Sequence, residues 1–169
     1  MAIIFIGLGS NEGNSIQILR DAYLDLKRNV GYLIESSSIY ESAPWGFESK
    51  NGFLNAVLKF ETNHTPAEIL NILQYLETKA GRKRNESKNY SDRTLDLDLL
   101  YYDYLISENS NLEIPHPRIS ERLFVLKPMV EIDAEWIDAR HKKSLKQLLE
   151  ETKDNSIIKK SSKLKFNDH

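Results

Sequence analysis

Arg93-Thr94-Leu95-Asp96-Leu97-Asp98-Leu99, continued by Leu100-Tyr101, is the stretch on which the fold turns. Leucine at every second position puts Leu95, Leu97 and Leu99 on one side of an extended chain and Asp96 and Asp98 on the other. Residues 94–101 therefore read as a strand with one core face and one charged face. Upstream, Thr65-Pro66-Ala67-Glu68 is a helix start: Thr65 caps free N–H groups, Pro66 suits the first helical position and Glu68 completes a capping box. Ile69, Leu70, Leu73, Leu76 and Ala80 keep helical spacing behind it, and Gly81 ends it. Leu33 to Glu41 and Phe53 to Glu61 read as strands, separated by the loop Ser42 to Gly52, which is too long for a tight turn. The chain opens with an apolar, β-branched run over residues 2–9, a glycine-rich turn, and an amphipathic helix from Ser15 to Lys27.

The order βαββαβ predicts an α+β, ferredoxin-like core: a four-stranded antiparallel sheet with two helices on one face. The remainder is expected to elaborate that core. Glu113-Ile114-Pro115-His116-Pro117-Arg118 reads as extended or turned, Ser120 to Val130 as a helix that Pro128 interrupts, and Ser144 to Glu151 as a short helix. Residues 1–158 are expected to form one domain, and 159–169, with Lys159, Lys160, Lys163 and Lys165, a frayed solvated tail.

Composition bounds the function. The 169 residues, 40% hydrophobic and 28% charged, suffice for one core without a staple, since a domain of this size buries roughly 70% of its unfolded surface. With no cysteine there is no thiol chemistry and no disulfide, as expected for a reducing cytoplasm. A net charge of −2 argues against a general nucleic-acid or membrane surface. The opening apolar run is too short for a membrane span and lacks the flanks of a signal peptide.

Asp96 and Asp98, at i and i+2 on a strand, lie roughly 7 Å apart at Cα and repel unless a cation sits between them. Mg²⁺ is held by one or two such carboxylates, with water and phosphate oxygens completing its shell. A solvated strand face bearing two acids is the plain alternative. Against it stand Arg82, Lys83, Arg84, Lys88 and Arg93 just upstream, because arginine forks fit phosphate oxygens. Almost no apolar surface is available from Arg82 to Asp92, so the segment from Arg82 to Arg93 is expected to be a lid that orders over phosphates. Gly7-Leu8-Gly9-Ser10-Asn11-Glu12-Gly13 has the wrong spacing for a dinucleotide loop, and there is no P-loop. His64, His116, His141 and His169 show no metal-ligand spacing.

Taken in order, Gly9-Ser10-Asn11, Tyr40-Glu41-Ser42-Ala43-Pro44-Trp45-Gly46, Phe53-Leu54-Asn55-Ala56, Gln74 with Glu77, Gly81-Arg82-Lys83-Arg84, Arg93 to Asp98, and Ile114 to Arg118 with Arg122 and Phe124 form a recognisable series. The chain resembles the 6-hydroxymethyl-7,8-dihydropterin pyrophosphokinase family from about Ile3 to Pro128. The resemblance implies diphosphate transfer from ATP to the pterin hydroxymethyl group, giving AMP, in folate biosynthesis. It implies two Mg²⁺ ions on Asp96 and Asp98, with Arg82 and Arg93 joining them in catalysis. It places the pterin against Ser42, Ala43, Pro44, Trp45 and Asn55, stacked between Phe53 and Phe124. It places ATP against Gln74, Glu77, Arg82, Arg84, Tyr90, Arg93, Leu99, His116 and Arg122. It implies a cytoplasmic monomer whose partners are ATP and the pterin, with no nucleic acid and no membrane.

Aromatic faces with fixed polar groups at the rim suit a flat heterocycle, and phosphoryl-type transfer wants placement and charge neutralisation more than a nucleophile. Taken singly, Phe53 and Phe124 also read as core aromatics, and Gln74 and Glu77 as an exposed helix face. Tyr90-Ser91-Asp92 departs from the family's Trp, Gly and Pro in a stretch one residue longer, and Ser42 stands for the usual Thr. Two other readings share the fold: an RNA-binding sheet, whose aromatic pattern is absent, and a nucleotidyl transferase. The by-product separates them: AMP for diphosphate transfer, pyrophosphate for nucleotidyl transfer, none for a binder.

Overall fold

The structure is a computed structural model that describes residues 1–12, 14–42, 52–81 and 94–165, with side chains left out from 162. Its central sheet is antiparallel. β1 (Ala2–Ser10) lies between β4 (Phe53–Thr62) and β5 (Asp96–Tyr102), and β4 pairs on its other side with β2 (Tyr32–Ser36) and β3 (Ser38–Ser42). With α1 (Ser15–Asn29) and α2 (Pro66–Lys79) this is the βαββαβ core expected from the pattern. The helix starts follow the same chemistry. Asn14 accepts from the Gln17 N–H at 3.3 Å to cap α1, and Thr65 and Glu68 form the capping box of α2. Past α2, Gly81 takes φ +93°, where a side chain would be strained.

The strand expected over 33–41 is two strands. Ser37 breaks it: its buried hydroxyl donates to the Ser38 carbonyl at 2.8 Å and accepts from the Val57 N–H at 2.8 Å. A side chain thus takes over part of the ladder at that point.

The two faces of the sheet carry two cores. Ile4, Ile6 and Leu8 of β1, Ala56, Leu58 and Phe60 of β4, and Leu95, Leu97 and Leu99 pack under Leu19, Leu26, Ile69 and Leu73 of α1 and α2. On the other face Phe5, Val57, Leu100 and Tyr101 pack under a second layer. A bulge opposite Phe5 and Ile6 leaves Leu100 without a cross-strand partner, which ends the strict alternation and sends both Leu100 and Tyr101 to this side.

The second layer is the C-terminal elaboration. It holds a hairpin, β6 (Ser107–Asn109) with β7 (Leu112–Ile114), a 3₁₀ turn at Ile119–Glu121, and α3 (Leu123–Asp133). There follow a small ladder, β8 (Ile137–Asp138) with β9 (Lys143–Ser144), and α4 (Leu145–Glu151), capped by Ser144. Helices therefore cover both faces, not one. Pro128 does not interrupt α3; it lies inside it, buried, where it gives the Phe124 carbonyl no N–H but fills the core beside Val125 and Met129. Lys59 of β4 meets Asp133 at 2.8 Å, and Glu131 accepts from Ser38 N–H at 3.0 Å, Ser38 Oγ at 2.8 Å and Tyr40 OH at 2.5 Å. These bonds fasten the C-terminal half of α3 to the sheet.

Residues 159–165, expected as a frayed tail, instead form most of β10 (Ile158–Lys165), which pairs with β3 at the sheet edge. Backbone bonds to β3 do not need apolar side chains. Exposed Lys159 and Lys160 suit an edge, where charge discourages further pairing. Among the described residues no helix is long and apolar enough to cross a membrane.

Candidate active site

α3 covers only part of its face. At the uncovered end the cross-strand register sets Tyr40, Asn55, Gly9 and Asp96 in one row across β3, β4, β1 and β5. The neighbouring pairs are Ser42 with Phe53 and Gly7 with Asp98. Directly paired antiparallel residues point to the same side, so all of these share one face. From Asn55 to Asp96 is two strand spacings, about 10 Å, with only a glycine between.

That glycine leaves room. A Cβ on Gly9 would come within 3.2 Å of Asn55 Oδ1 and 3.9 Å of the Phe53 ring. Asn55 is buried, and its Nδ2 donates to Ser42 Oγ at 2.8 Å. This bond fixes the amide so that Oδ1 stands over Gly9 as an acceptor. Phe53 is half-buried, and its ring stands 3.9 Å from where a Cβ on Gly9 would lie.

Asp96 and Asp98 are half-buried, while Leu95, Leu97 and Leu99 beside them are buried. The start of β5 is tied down twice. Ser10 donates its hydroxyl to the Thr94 carbonyl, and Glu77 of α2 accepts from the Leu97 N–H, between the two aspartates, at 3.2 Å. Glu77 is buried, unlike the exposed helix face that spacing alone allowed, whereas Gln74 one turn earlier is exposed. The side chain of Leu99 lies in the core under α1 and α2, on the side of β5 opposite Asp96 and Asp98, as the period of two requires.

His116 follows β7. Its N–H donates to the Leu100 carbonyl at 3.0 Å, and its Nδ1 accepts from the Arg118 N–H at 3.3 Å, which leaves the proton on Nε2. Burial pushes its pKa down to about 4; Arg122 and Arg118 push the same way and Asp96 opposes them. His116 is thus a neutral donor among charged groups at pH 7. Arg122, buried at the start of α3, lays its guanidinium over the Phe124 ring at 5.5 Å. Phe124 is half-buried and packs at the border of the second core, so it touches both the core and the open end of the face.

Among the expected site residues, Ala43, Pro44, Trp45, Arg82, Arg84, Tyr90 and Arg93 lie outside the described residues, as does the expected lid. The arrangement brings together Ser42, Phe53 and Asn55 at one end, Asp96 and Asp98 at the other, and His116, Arg122 and Phe124 beside them. Sequence reasoning gave Ser10 and the Ser42 hydroxyl no role. Their partners are 84 and 13 residues away, and no local signal announces them. Among the described residues no three or more His, Cys, Asp or Glu side chains cluster as a metal centre. A two-carboxylate cation site completed by substrate phosphate needs no such cluster.

A ferredoxin-like sheet that carries a carboxylate pair, a buried arginine and a neutral histidine beside a slot with an aromatic wall defines a group-transfer enzyme acting on an anionic phosphate compound. The model of the 7,8-dihydro-6-hydroxymethylpterin-pyrophosphokinase family matches residues 5–134, and the chain belongs to that family. It is 39% identical to the 2-amino-4-hydroxy-6-hydroxymethyldihydropteridine pyrophosphokinase of Porphyromonas gingivalis over 139 residues, 81% of this chain and 94% of that protein. It is 40% identical to the Bacillus subtilis pyrophosphokinase of the same name over 131 residues, 77% of each. The fold is similar to that of wild-type HPPK-DHPS of Plasmodium falciparum, with a TM-score of 0.70 at 14% identity. That likeness covers 88% of this chain and 44% of the longer one, so the chain spans less than half of that structure. The chain is a pyrophosphokinase of folate synthesis that acts on hydroxymethyldihydropterin.

Proposed function

We propose that this chain moves a diphosphate from ATP to the hydroxymethyl oxygen of 6-hydroxymethyl-7,8-dihydropterin, releasing AMP, with the pterin at the Ser42–Asn55 end of the row and the phosphates at the Asp96–Asp98 end. The observation that carries this placement is the row itself: Asn55, Gly9 and Asp96 on adjacent strands of one face. About 10 Å between an amide acceptor and a carboxylate pair suits a bicyclic ring whose substituent must reach a phosphate.

Asn55 Oδ1, aimed by Ser42, accepts from the heterocycle edge. Phe53 and Phe124 stack on its faces, and Ala43, Pro44 and Trp45 complete the rim. Asp96 and Asp98 would hold two Mg²⁺ ions. The donors fit, being hard oxygens on one side of an edge strand, facing Gly7 and Gly9, so that no β1 side chain crowds them. When bound, such a cation neutralises phosphate charge. Arg122, with Arg82, Arg84 and Arg93, adds fixed positive charge, and His116 Nε2–H donates without adding more. Gln74, Glu77 and Tyr90 line the nucleotide, and Glu77 holds the Leu97 backbone in register. We place the activity in a cytoplasmic monomer, in keeping with the cysteine-free composition.

The test is the by-product. Incubation with ATP, Mg²⁺ and the hydroxymethyl dihydropterin yields AMP in step with pterin consumption. Pyrophosphate in place of AMP, or turnover unchanged by chelation of Mg²⁺, overturns the reading.

A further inference from the structure

Two residues assigned to ligands, Arg122 and Phe124, flank the first N–H of α3, that of Leu123. An α-helix leaves its first N–H groups without partners inside the helix, and a local cap normally takes one or two of them. Here the N-cap residue is Arg122, which makes no side-chain hydrogen bond to the first turn.

The bond comes from far along the chain. Asp154 Oδ2 accepts from the Leu123 N–H at 2.9 Å, across 31 residues and from beyond the segment the family model matches. The other carboxylate oxygen and the backbone N–H of Asp154 are engaged as well. Its Oδ1 accepts from the Ser156 N–H at 2.9 Å and from the Ser156 hydroxyl, so Oδ2 is turned to the helix. Its own N–H donates to Thr152 Oγ1 at 3.3 Å, and that hydroxyl donates to the Ser120 carbonyl at 2.8 Å. The Thr152–Ser156 turn therefore grips the chain on both sides of Arg122, at Ser120 and at Leu123.

We propose that Asp154 is a positioning residue for the reaction: through the Leu123 N–H it sets the start of α3, and so the placement of the Phe124 ring and the Arg122 guanidinium. This rests on the reading of Phe124 as a pterin-stacking residue. Three features support it. The carboxylate is charged, and a charged acceptor makes a stronger cap than a neutral one and sits at the favourable end of the helix dipole. Burial opposes that charge, but the bonds from Ser156 and Leu123 outweigh it and hold the Asp154 pKa below the usual range, so the cap stays ionised at neutral pH. Lastly, among the described residues the side-chain hydrogen bonds and ion pairs of α3 to the sheet come from its other end, from Glu131 and Asp133, about two turns from Phe124. Without Asp154 the end that carries the ligand residues loses its far-sequence hydrogen-bonded anchor.

The experiment is a double-mutant cycle on the full chain. KM for pterin and for ATP, kcat and the thermal midpoint are measured for Asp154→Ala, Phe124→Ala and the double variant, well below the melting temperature. Asp154→Ala is expected to raise the pterin KM about tenfold, the scale of losing one charged cap. In the Phe124→Ala background it should change that KM less than about twofold, because the ring it places is gone. Asp154→Asn keeps one acceptor oxygen where Asp154 uses two, so it should give a pterin KM between those of wild type and Asp154→Ala. Should Asp154→Ala fail to fold, Thr152→Val, which removes the bond to Ser120 and the one from the Asp154 N–H but keeps the carboxylate, should move the pterin KM the same way by a smaller factor. An equal effect of Asp154→Ala in both backgrounds, or a loss explained by the unfolded fraction alone, overturns the inference while the assignment of Phe124 stands. A normal pterin KM for Phe124→Ala itself overturns the assignment, and the inference with it.

Discussion

Along β5 and the residue before it, Leu95, Leu97 and Leu99 vanish into the core beneath α1 and α2 on one side; on the other, Asp96 and Asp98 stay half exposed across from two glycines. The same five residues thus serve a dry, close-packed layer and a wet, charged one, with one bond rotation of the pleat between them. Because the period is two, stability and chemistry fall on alternate residues and can be disturbed one at a time. The contrast widens across the sheet. The first face is apolar where α1 and α2 cover it, whereas the second is apolar under α3 and polar where α3 stops, at Ser42, Asn55, Gly9 and Asp96.

The largest effect expected from breaking this contrast is at the carboxylates. Asp96→Ala or Asp98→Ala should cut Mg²⁺-dependent turnover by a factor on the order of 10³ while the thermal midpoint stays within about 2 °C of wild type. Steady-state assays over a Mg²⁺ titration, beside a melting curve, decide it. Near-normal turnover at modest Mg²⁺ would sink the assignment of the pair. One residue away the outcome should invert. Leu97→Ala deletes a side chain that is 5% exposed and should cost about 2–5 kcal/mol of stability in urea titrations, with turnover per folded molecule close to normal. If Leu97→Ala removed activity without destabilising the chain, the division of labour between the faces would fail.

The aromatic wall gives the next test. Phe53→Ala and Phe124→Ala should weaken pterin binding by about 1–3 kcal/mol and ATP binding less. Fluorescence titration with each ligand separates them. Equal losses for both ligands, or loss of melting temperature alone, would return these rings to the core. Phe124, which borders the second core, should show some of both effects.

What could be read from the sequence follows the range of the interactions. The leucine–aspartate alternation and the Thr65–Glu68 capping box are local rules, and both appear in the structure as expected. The break at Ser37, the passage of α3 through Pro128 and the strand β10 were not legible, because each depends on partners supplied by other elements: Val57, the second core and β3. The site divides the same way. Residue types and order pointed to Asp96, Asp98, Asn55 and Phe53, but not to the Ser42 hydroxyl that aims Asn55 or the Asp154 carboxylate that caps α3, since a bond across 31 residues leaves no periodic trace.

The smallest effect sharpens the boundary between the covered and open halves of the second face. Glu131 fastens α3 to β3 there, and its environment pulls its pKa two ways. Burial raises it, while hydrogen bonds from Tyr40 and Ser38, with Lys160 at 3.8 Å, outweigh burial and hold it below the usual glutamate range. A carboxylate depressed in the folded state binds fewer protons there than when unfolded. Its contribution is therefore complete above the ordinary glutamate pKa and is lost as pH falls through the lower, folded one. Glu131→Gln should cost about 1 kcal/mol at pH 7 and flatten the decline of unfolding free energy below about pH 5, measured by urea titration at a series of pH values. Tyr40→Phe, which removes the shortest of the bonds to Glu131, should remove part of the same slope. Both variants act at the end of α3 away from Leu123, so the pterin KM should move by less than the Asp154 variants move it. If the wild-type slope persists unchanged in both, other carboxylates set it and Glu131 is not the fastening that separates the two halves.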